Sequence, residues 1–309
     1  MGGLSIGCVV RRLLSASPVT KQAVIVRVCV LGVVLAGPVT TLHAAQDDRT
    51  DSAAPKADSE ARQDEQDDAD LRLAEPEFRL INLPTTLPLP RHRASFGLAH
   101  RFNGNLARGS FASHAANLFG LDQGAFVGLE LRFALARSVQ AALYRSTSDR
   151  ALQVHGRYDA LRQSGSSPVA ASAVISVEGA DNLTEHRAPA LGVVVSRTVV
   201  ADRAAVYATP IWVHNTAGHS GVDRDTVFVG LGGRVRVSPT VYVVGEVSPR
   251  ISGYAPGPPE FAVGIEKRVG GHMFQVNFTN SFAMTYAQLA RGGFPDTLYL
   301  GFNLARKFF

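Results

Sequence analysis

The chain has 309 residues, a formal net charge of +5, 46% hydrophobic residues and two cysteines. That length admits one large domain or two small ones. The cysteines, Cys8 and Cys29, both lie near the N-terminus, which removes disulfide frameworks, cysteine nucleophiles and thiolate metal sites from everything downstream. The basic balance brings no nucleic-acid-binding motif with it, so no nucleic-acid partner is expected.

Charge is segregated along the chain. Residues 1–45 carry Arg11, Arg12, Lys21 and Arg27 and no acid. Residues 46–77 carry 12 acids and 4 bases, and residues 78–309 carry 23 bases and 14 acids. Three regions with different roles are expected.

Residues 1–45 read as a secretory signal peptide. A basic stretch ends at Arg27, a short apolar run covers 28–37, and Leu42, His43, Ala44 and Ala45 offer small residues for cleavage. The apolar run is too short for a spanning helix; an uncleaved anchor is the alternative. Residues 46–77 lack aromatics and are dense in acid, so they cannot bury enough apolar surface to offset the entropy of ordering. They are expected to be a disordered acidic segment. It is either a solvated spacer or a tail that meets a basic partner, such as a periplasmic protein, or the basic mouth of the barrel. Residues 80–90 are punctuated by proline and are expected to lead, extended, into a first strand.

From Ala94 the pattern has period two. Phe126, Gly128, Glu130 and Arg132 alternate with Val127, Leu129, Leu131 and Phe133. Phe274, Val276 and Phe278 alternate with Gln275 and Asn277, and the same holds over 225–237 and 297–306. This is strand alternation rather than helix periodicity. About twelve strands are expected, over 94–102, 125–135, 138–145, 151–158, 168–178, 190–199, 204–214, 225–237, 240–248, 260–268, 272–280 and 297–306. Short and long connections alternate, with two exceptions at 146–150 and 159–167. An even strand number and alternating loop length predict an all-β fold, a closed antiparallel transmembrane β-barrel over 78–309. The second face of the strands carries charges of both signs, as a lumen wall would. Aromatics such as Phe133, Tyr144, Tyr158, Tyr207, Trp212 and Tyr242 are candidates for girdles at the membrane interfaces. A terminal Phe309 after an alternating strand is similar to the signal read by the barrel-insertion machinery of the bacterial outer membrane.

Several blocks carry a resemblance. They are His100-Arg101-Phe102, then 117–123 (NLFGLDQ), Tyr144-Arg145-Ser146, Arg157-Tyr158, 264–268 (GIEKR) with Gly271-His272, and Thr279-Asn280-Ser281. Over about 77–309 the chain resembles a family of bacterial outer-membrane β-barrels catalogued as a domain of unknown function, the 5777 β-barrel family. The resemblance implies an outer-membrane barrel with lipid around it, and it implies no enzyme activity, cofactor or substrate.

Chemistry of other kinds is weakly signalled. Beyond the leader, where Gly3–Gly7 only happens to match the string, there is no Gly-x-Ser-x-Gly elbow, and there is no His-Glu-x-x-His motif. Eight histidines beyond the leader are scattered without ligand spacing, so no metal site is expected. His100 with Asp122 is the one imaginable catalytic pair; pairing of Asp122 with Arg101 or Arg145 is the plainer reading. Gly230–Gly233 precedes no helix and so is no phosphate loop; small residues there would make room for neighbours. Candidate lumen or motif residues are His100, Arg101, Asp122, Glu130, Arg132, Arg145, Arg157, Arg234, Arg236, Glu246, Glu266, Arg268, His272 and Asn280. The expected function is a narrow or gated channel for small solutes, with Arg234 and Arg236 giving a modest preference for anions. The alternative is a closed barrel serving as a membrane anchor or docking platform.

Overall fold

The structure is a computed structural model and describes residues 74–309 except 201, 217–224, 255 and 309. The expected signal peptide, the acidic stretch up to residue 73 and the terminal Phe309 lie outside the described residues.

Among the described residues thirteen strands follow one another: β1 (Ala94–Asn105), β2 (Ala125–Ala136), β3 (Val139–Ser146), β4 (Leu152–Leu161), β5 (Ala170–Gly179), β6 (Glu185–Val199) and β7 (Ala204–Val213). After them come β8 (Thr226–Ser238), β9 (Val241–Ser248), the short β10 (Arg250–Ser252), β11 (Glu260–Val269), β12 (His272–Thr279) and β13 (Tyr299–Phe308). Each wall strand pairs antiparallel with its neighbours. β1 closes the barrel by pairing β2 on one side (Ala94↔Phe133) and β13 on the other (Ala94↔Phe308). β10 only extends the edge of β8, so the closed wall has twelve strands. Closure leaves no unpaired edge, which is what a bilayer without water demands of backbone N–H and C=O groups.

The period-two pattern sorts the wall. Leu129, Leu131 and Phe133 of β2, Ile175 of β5, Val243 of β9, Ile265 of β11 and Phe274 and Val276 of β12 all stand exposed on the outer face. Residues in the opposite phase are buried inside. No helix among the described residues is long and apolar enough to cross a membrane.

The expected girdle divides. Tyr158 and Trp212 face outward, whereas Tyr144, Tyr207 and Tyr242 are buried in the lumen, because they fall in the inward phase of their strands.

Four turns at one end are short (137–138, 200–203, 239–240 and 270–271). The other end carries the long segments 106–124, 214–225 and 280–298. The two exceptional connections persist. Residues 147–151 are short at the long-loop end. Residues 162–169 are long at the short-turn end, where Gln163 braces them by bonding Thr198. The connection expected over 179–189 is only 180–184, because β6 begins earlier than its apolar pattern.

Residues 74–91 overturn two expectations. Residues 80–90 do lead into β1, but they are not simply extended: with 74–79 they fold back on themselves inside the lumen. Ala74, Glu75 and Glu77, which composition assigned to the disordered segment, are buried there. The physical reason is the apolar content of the adjoining residues: Phe78, Leu80, Ile81, Leu83, Leu87 and Leu89 are each at most 3% exposed. Burying six large apolar side chains offsets the ordering cost of a short irregular segment.

Candidate functional site

Inside the barrel the chain builds a small hairpin. Leu80 N donates to Leu83 O (2.8 Å), Thr85 N donates to Phe78 O (2.9 Å), and Arg79 pairs antiparallel with Pro84. The tip is 81–82. The hairpin enters from the short-turn end, where His92 N bonds Ala134 O and where Lys307 Nζ donates to Pro76 O. Its two leucines press on glycines of β8. A Cβ on Gly230 would lie 2.5 Å from Leu83, and one on Gly232 would lie 2.4 Å from Leu80. The small residues of β8 therefore do make room for a neighbour, and the neighbour is the hairpin.

Buried backbone groups need partners, and the wall supplies them through side chains. The carboxylate of Glu246 on β9 accepts from three successive backbone amides at the tip, Ile81 N (3.0 Å), Asn82 N (2.7 Å) and Leu83 N (3.1 Å). Successive N–H groups of this kind form an anion-binding nest. Gln275 donates to Leu80 O, Asn303 to Ile81 O, Arg157 to Thr85 O and Arg234 to Arg79 O. The Asn82 side chain bridges the wall, donating to Glu260 and accepting from Arg101.

Ion pairs lie beneath these contacts. Glu130 is shared by Arg79 of the hairpin and Arg132 of β2, both at 2.6 Å. Arg157 pairs Asp159 at 2.9 Å, and Arg234 pairs Glu266 at 2.6 Å with both side chains fully buried.

A second element fills the lumen from the long-loop end. The last outer loop forms the helix α1 (Tyr286–Arg291), with Leu289 and Ala290 fully buried. Glu178 of β5 accepts from Ala287 N at 3.0 Å, and Asp149 accepts from Arg291 Nη1 at 2.7 Å. The two fillings meet: Arg79 Nη1 donates to Met284 O at 2.9 Å, and its guanidinium lies over the Tyr144 ring.

Of the sequence candidates, Arg101, Glu130, Arg132, Arg157, Arg234, Glu246, Glu266 and Arg268 all face this lumen, buried. Arg236 shares the face but is half-buried at the short-turn mouth. Asn280 is buried at the other mouth, where it accepts from Phe261 N and donates to Pro259 O.

Four candidates are corrected. Arg101 points inward, so His100 must point outward, and its ring stacks on Phe302 at 4.7 Å. His272 shares the outward phase of Phe274, and Arg145 shares that of Leu143 and bonds Asn182. Asp122 is exposed in the loop 106–124 and meets neither Arg101 nor Arg145, whose bonds go elsewhere. The imaginable His100–Asp122 pair is therefore not formed.

Sequence reasoning missed Arg79, Asn82, Asp159, Glu260, Gln275, Asn303 and Lys307. The wall residues among them stood in the inward phase and were findable from it; the hairpin residues had no periodic signal. Among the described residues no group of three His, Cys, Asp or Glu side chains is placed to hold a metal.

A family model described as a membrane-bound β-barrel domain, DUF5777, matches residues 77–308. The chain belongs to this family. No curated protein matches the chain significantly. This DUF5777 barrel is similar in fold to several solved structures. A KdgM porin in complex with disordered oligogalacturonate aligns at TM-score 0.47 and 9% identity, over 70% of this chain and 99% of that one. A NanC porin aligns at 0.46 and 6%, over 70% and 99%. An outer membrane channel from Pseudomonas putida F1 aligns at 0.45 and 14%, over 71% and 97%.

The DUF5777 barrel's inner wall is close to charge balance. Arg101, Arg132, Arg157, Arg234, Arg268 and Lys307 are offset by Glu130, Asp159, Glu178, Glu246, Glu260 and Glu266, all buried. Half-buried Arg236 at the mouth leaves a small positive excess.

Proposed function

We propose that the protein is a gated outer-membrane channel for small solutes, closed at rest by the hairpin 74–91 from one end and by α1 from the other. The observation that carries this reading is the chemistry of the wall beneath both fillings. A lumen meant to stay filled with protein is held more cheaply by apolar side chains than by buried ion pairs and amides. This wall is mixed: Val174, Val194, Ile211, Phe228 and Val244 pack the hairpin leucines and α1 in one apolar cluster, while the rest is lined with Arg, Glu, Gln, Asn, Ser and Thr, a polar share that suits contact with water once a filling leaves. The membrane-bound barrel family supports the location, with export by the segment 1–45 and insertion through Phe309 as parts of the same reading. The near balance of wall charge supports weak rather than strong ion selectivity, with Arg236 at the mouth as its source.

The experiment is single-channel recording in planar bilayers. The protein from residue 46 onward is compared with one lacking 46–90, which removes the hairpin whole. The longer protein should give rare openings, the shorter one more frequent openings, and a third that also lacks α1 (286–291) sustained discrete steps. Silence from the correctly folded protein that lacks both fillings would overturn the channel reading. It would favour a closed barrel that anchors or docks a periplasmic partner, a role that the sealed lumen also suits.

A further inference from the structure

The outer mouth holds a cavity of about 450 Å³, within the ~300–1,000 Å³ span of small-molecule sites. Its floor is α1, through Gln288 and Arg291. Asp149, Tyr254, Phe282 and Phe294 also line it.

The site is braced rather than loose. The Arg250 guanidinium donates to Pro256 O, Gly257 O and Pro258 O of the neighbouring loop and to Arg291 O at the end of α1, at 2.6–3.0 Å. Asp149 is held at φ 56°, a left-handed conformation, which costs free energy and clusters at functional sites.

The polar groups converge in a particular mixture. The Asp149–Arg291 pair is about a third exposed on each side, so it can still bond a guest. Gln288 is 5% exposed; its Oε1 accepts from Met284 N, and its Nε2 has no hydrogen-bond partner among the described residues. The Ser281 hydroxyl accepts from Ala283 N and keeps its own proton to donate. Beside these groups the Phe282 and Phe294 rings lie 5.8 Å apart, and Phe294 is 47% exposed.

We propose that this vestibule is a recognition site for a neutral, polyhydroxylated solute of the saccharide type. A hydroxyl both donates and accepts, so neighbouring hydroxyls can satisfy a carboxylate and a guanidinium together. An anion would meet Asp149, a dication would meet Arg291, and an apolar guest would strand all of the polar groups. The aromatic pair offers an apolar surface to the C–H face of a sugar ring. Because the floor is the helix that fills the lumen, the site's role in solute entry rests on the channel reading. Binding itself does not depend on conduction.

The test is calorimetric titration of the folded protein from residue 46 onward, in a detergent without a sugar headgroup, with maltose and with succinate. Saturable heat with maltose and none with succinate is expected. Asp149→Ala and Gln288→Ala should each weaken binding about tenfold, the effect of losing one hydrogen bond to a charged or buried partner. Phe294→Ala changes an exposed ring and so guards against misfolding as the explanation; it too should weaken binding. Absence of saturable maltose heat, tighter binding of succinate, or unchanged maltose affinity in all three variants would overturn the proposal. Maltose binding by a barrel that never conducts would leave this site standing and remove only the channel.

Discussion

Arg79 Nε and Glu130 Oε2 meet at 2.6 Å, where the lumen hairpin crosses the inner face of β2. The same guanidinium reaches Met284 O in the outer loop. One side chain therefore ties both fillings to the wall and to each other.

Arg79→Ala should loosen both closures at once. Hydrogen bonds to charged groups contribute about 1.5–3 kcal/mol each, so the ratio of open to closed time should rise by about ten- to a hundredfold. Single-channel recording reads this directly. An unchanged open probability would mean that Arg79 is not a latch.

Gly230→Val should expel the hairpin tip. A Cβ there already meets Leu83 at 2.5 Å, and the added methyl groups extend further into a space that the closed wall cannot enlarge. Limited trypsin digestion of the folded barrel reports this, because Arg79 becomes accessible when the hairpin leaves. Protection equal to that of the parent protein would show that Leu83 simply repacks.

The wall was legible in the sequence and its contents were not. Period-two alternation at Glu130, Arg132, Arg234 and Glu266 marks a lumen face because every wall strand obeys the same geometric rule. Phase also separates Arg101 from His100 and Met273 from His272. Choosing residues by motif block rather than by phase is what misplaced His100, His272 and Arg145. The hairpin obeys no period. Its prolines interrupt any pattern, and its partners are scattered over strands that include β1, β2, β4, β8, β9, β11, β12 and β13. The one local sign was compositional: Leu80, Ile81, Leu83, Leu87 and Leu89 are too apolar for a segment exposed to water. The outer loops were illegible for a similar reason, since Asn280 acts by bonding the backbone at residues 259 and 261.

Arg234→Ala should destabilise the barrel. Both partners of the Arg234–Glu266 pair are fully buried, and removing one leaves a buried charge without its counter-ion, at a cost of about 3–5 kcal/mol. The double variant Arg234→Ala, Glu266→Ala should recover part of that loss. Unfolding by guanidinium chloride, followed by the electrophoretic shift of the folded barrel, gives both values. A double variant no better than the single would show that the pair does not act as a unit.

Gly292→Ala should disorder the outer mouth while sparing the wall. Gly292 has φ 85°, and a Cβ would sit 2.4 Å from Arg250 Nη1. Arg250 would have to release one or more of the carbonyls that it clamps. The expected readout is faster hydrogen exchange in the 250–259 and 286–293 amides, with wall amides unchanged. Uniform loss of protection would instead point to global destabilisation.

Glu246→Ala should free the hairpin tip. The carboxylate accepts from Ile81 N, Asn82 N and Leu83 N, and without it three buried donors lose the acceptor that satisfies them. Glu246→Gln keeps one acceptor oxygen but loses the charge, so it should fall between the parent and the alanine variant. Glu246→Asp keeps the charge on a shorter arm and tests reach alone. A protein beginning at residue 46 contains no cysteine, so Leu87→Cys, at a position only 3% exposed, serves as a clean reporter. Its maleimide labelling should be slow in the parent, at least about tenfold faster with Glu246→Ala, given the ~1.5–3 kcal/mol carried by each charge-assisted bond, and intermediate with Glu246→Gln. Equal labelling in all backgrounds would mean that apolar burial of the leucines, rather than the carboxylate nest, retains the hairpin.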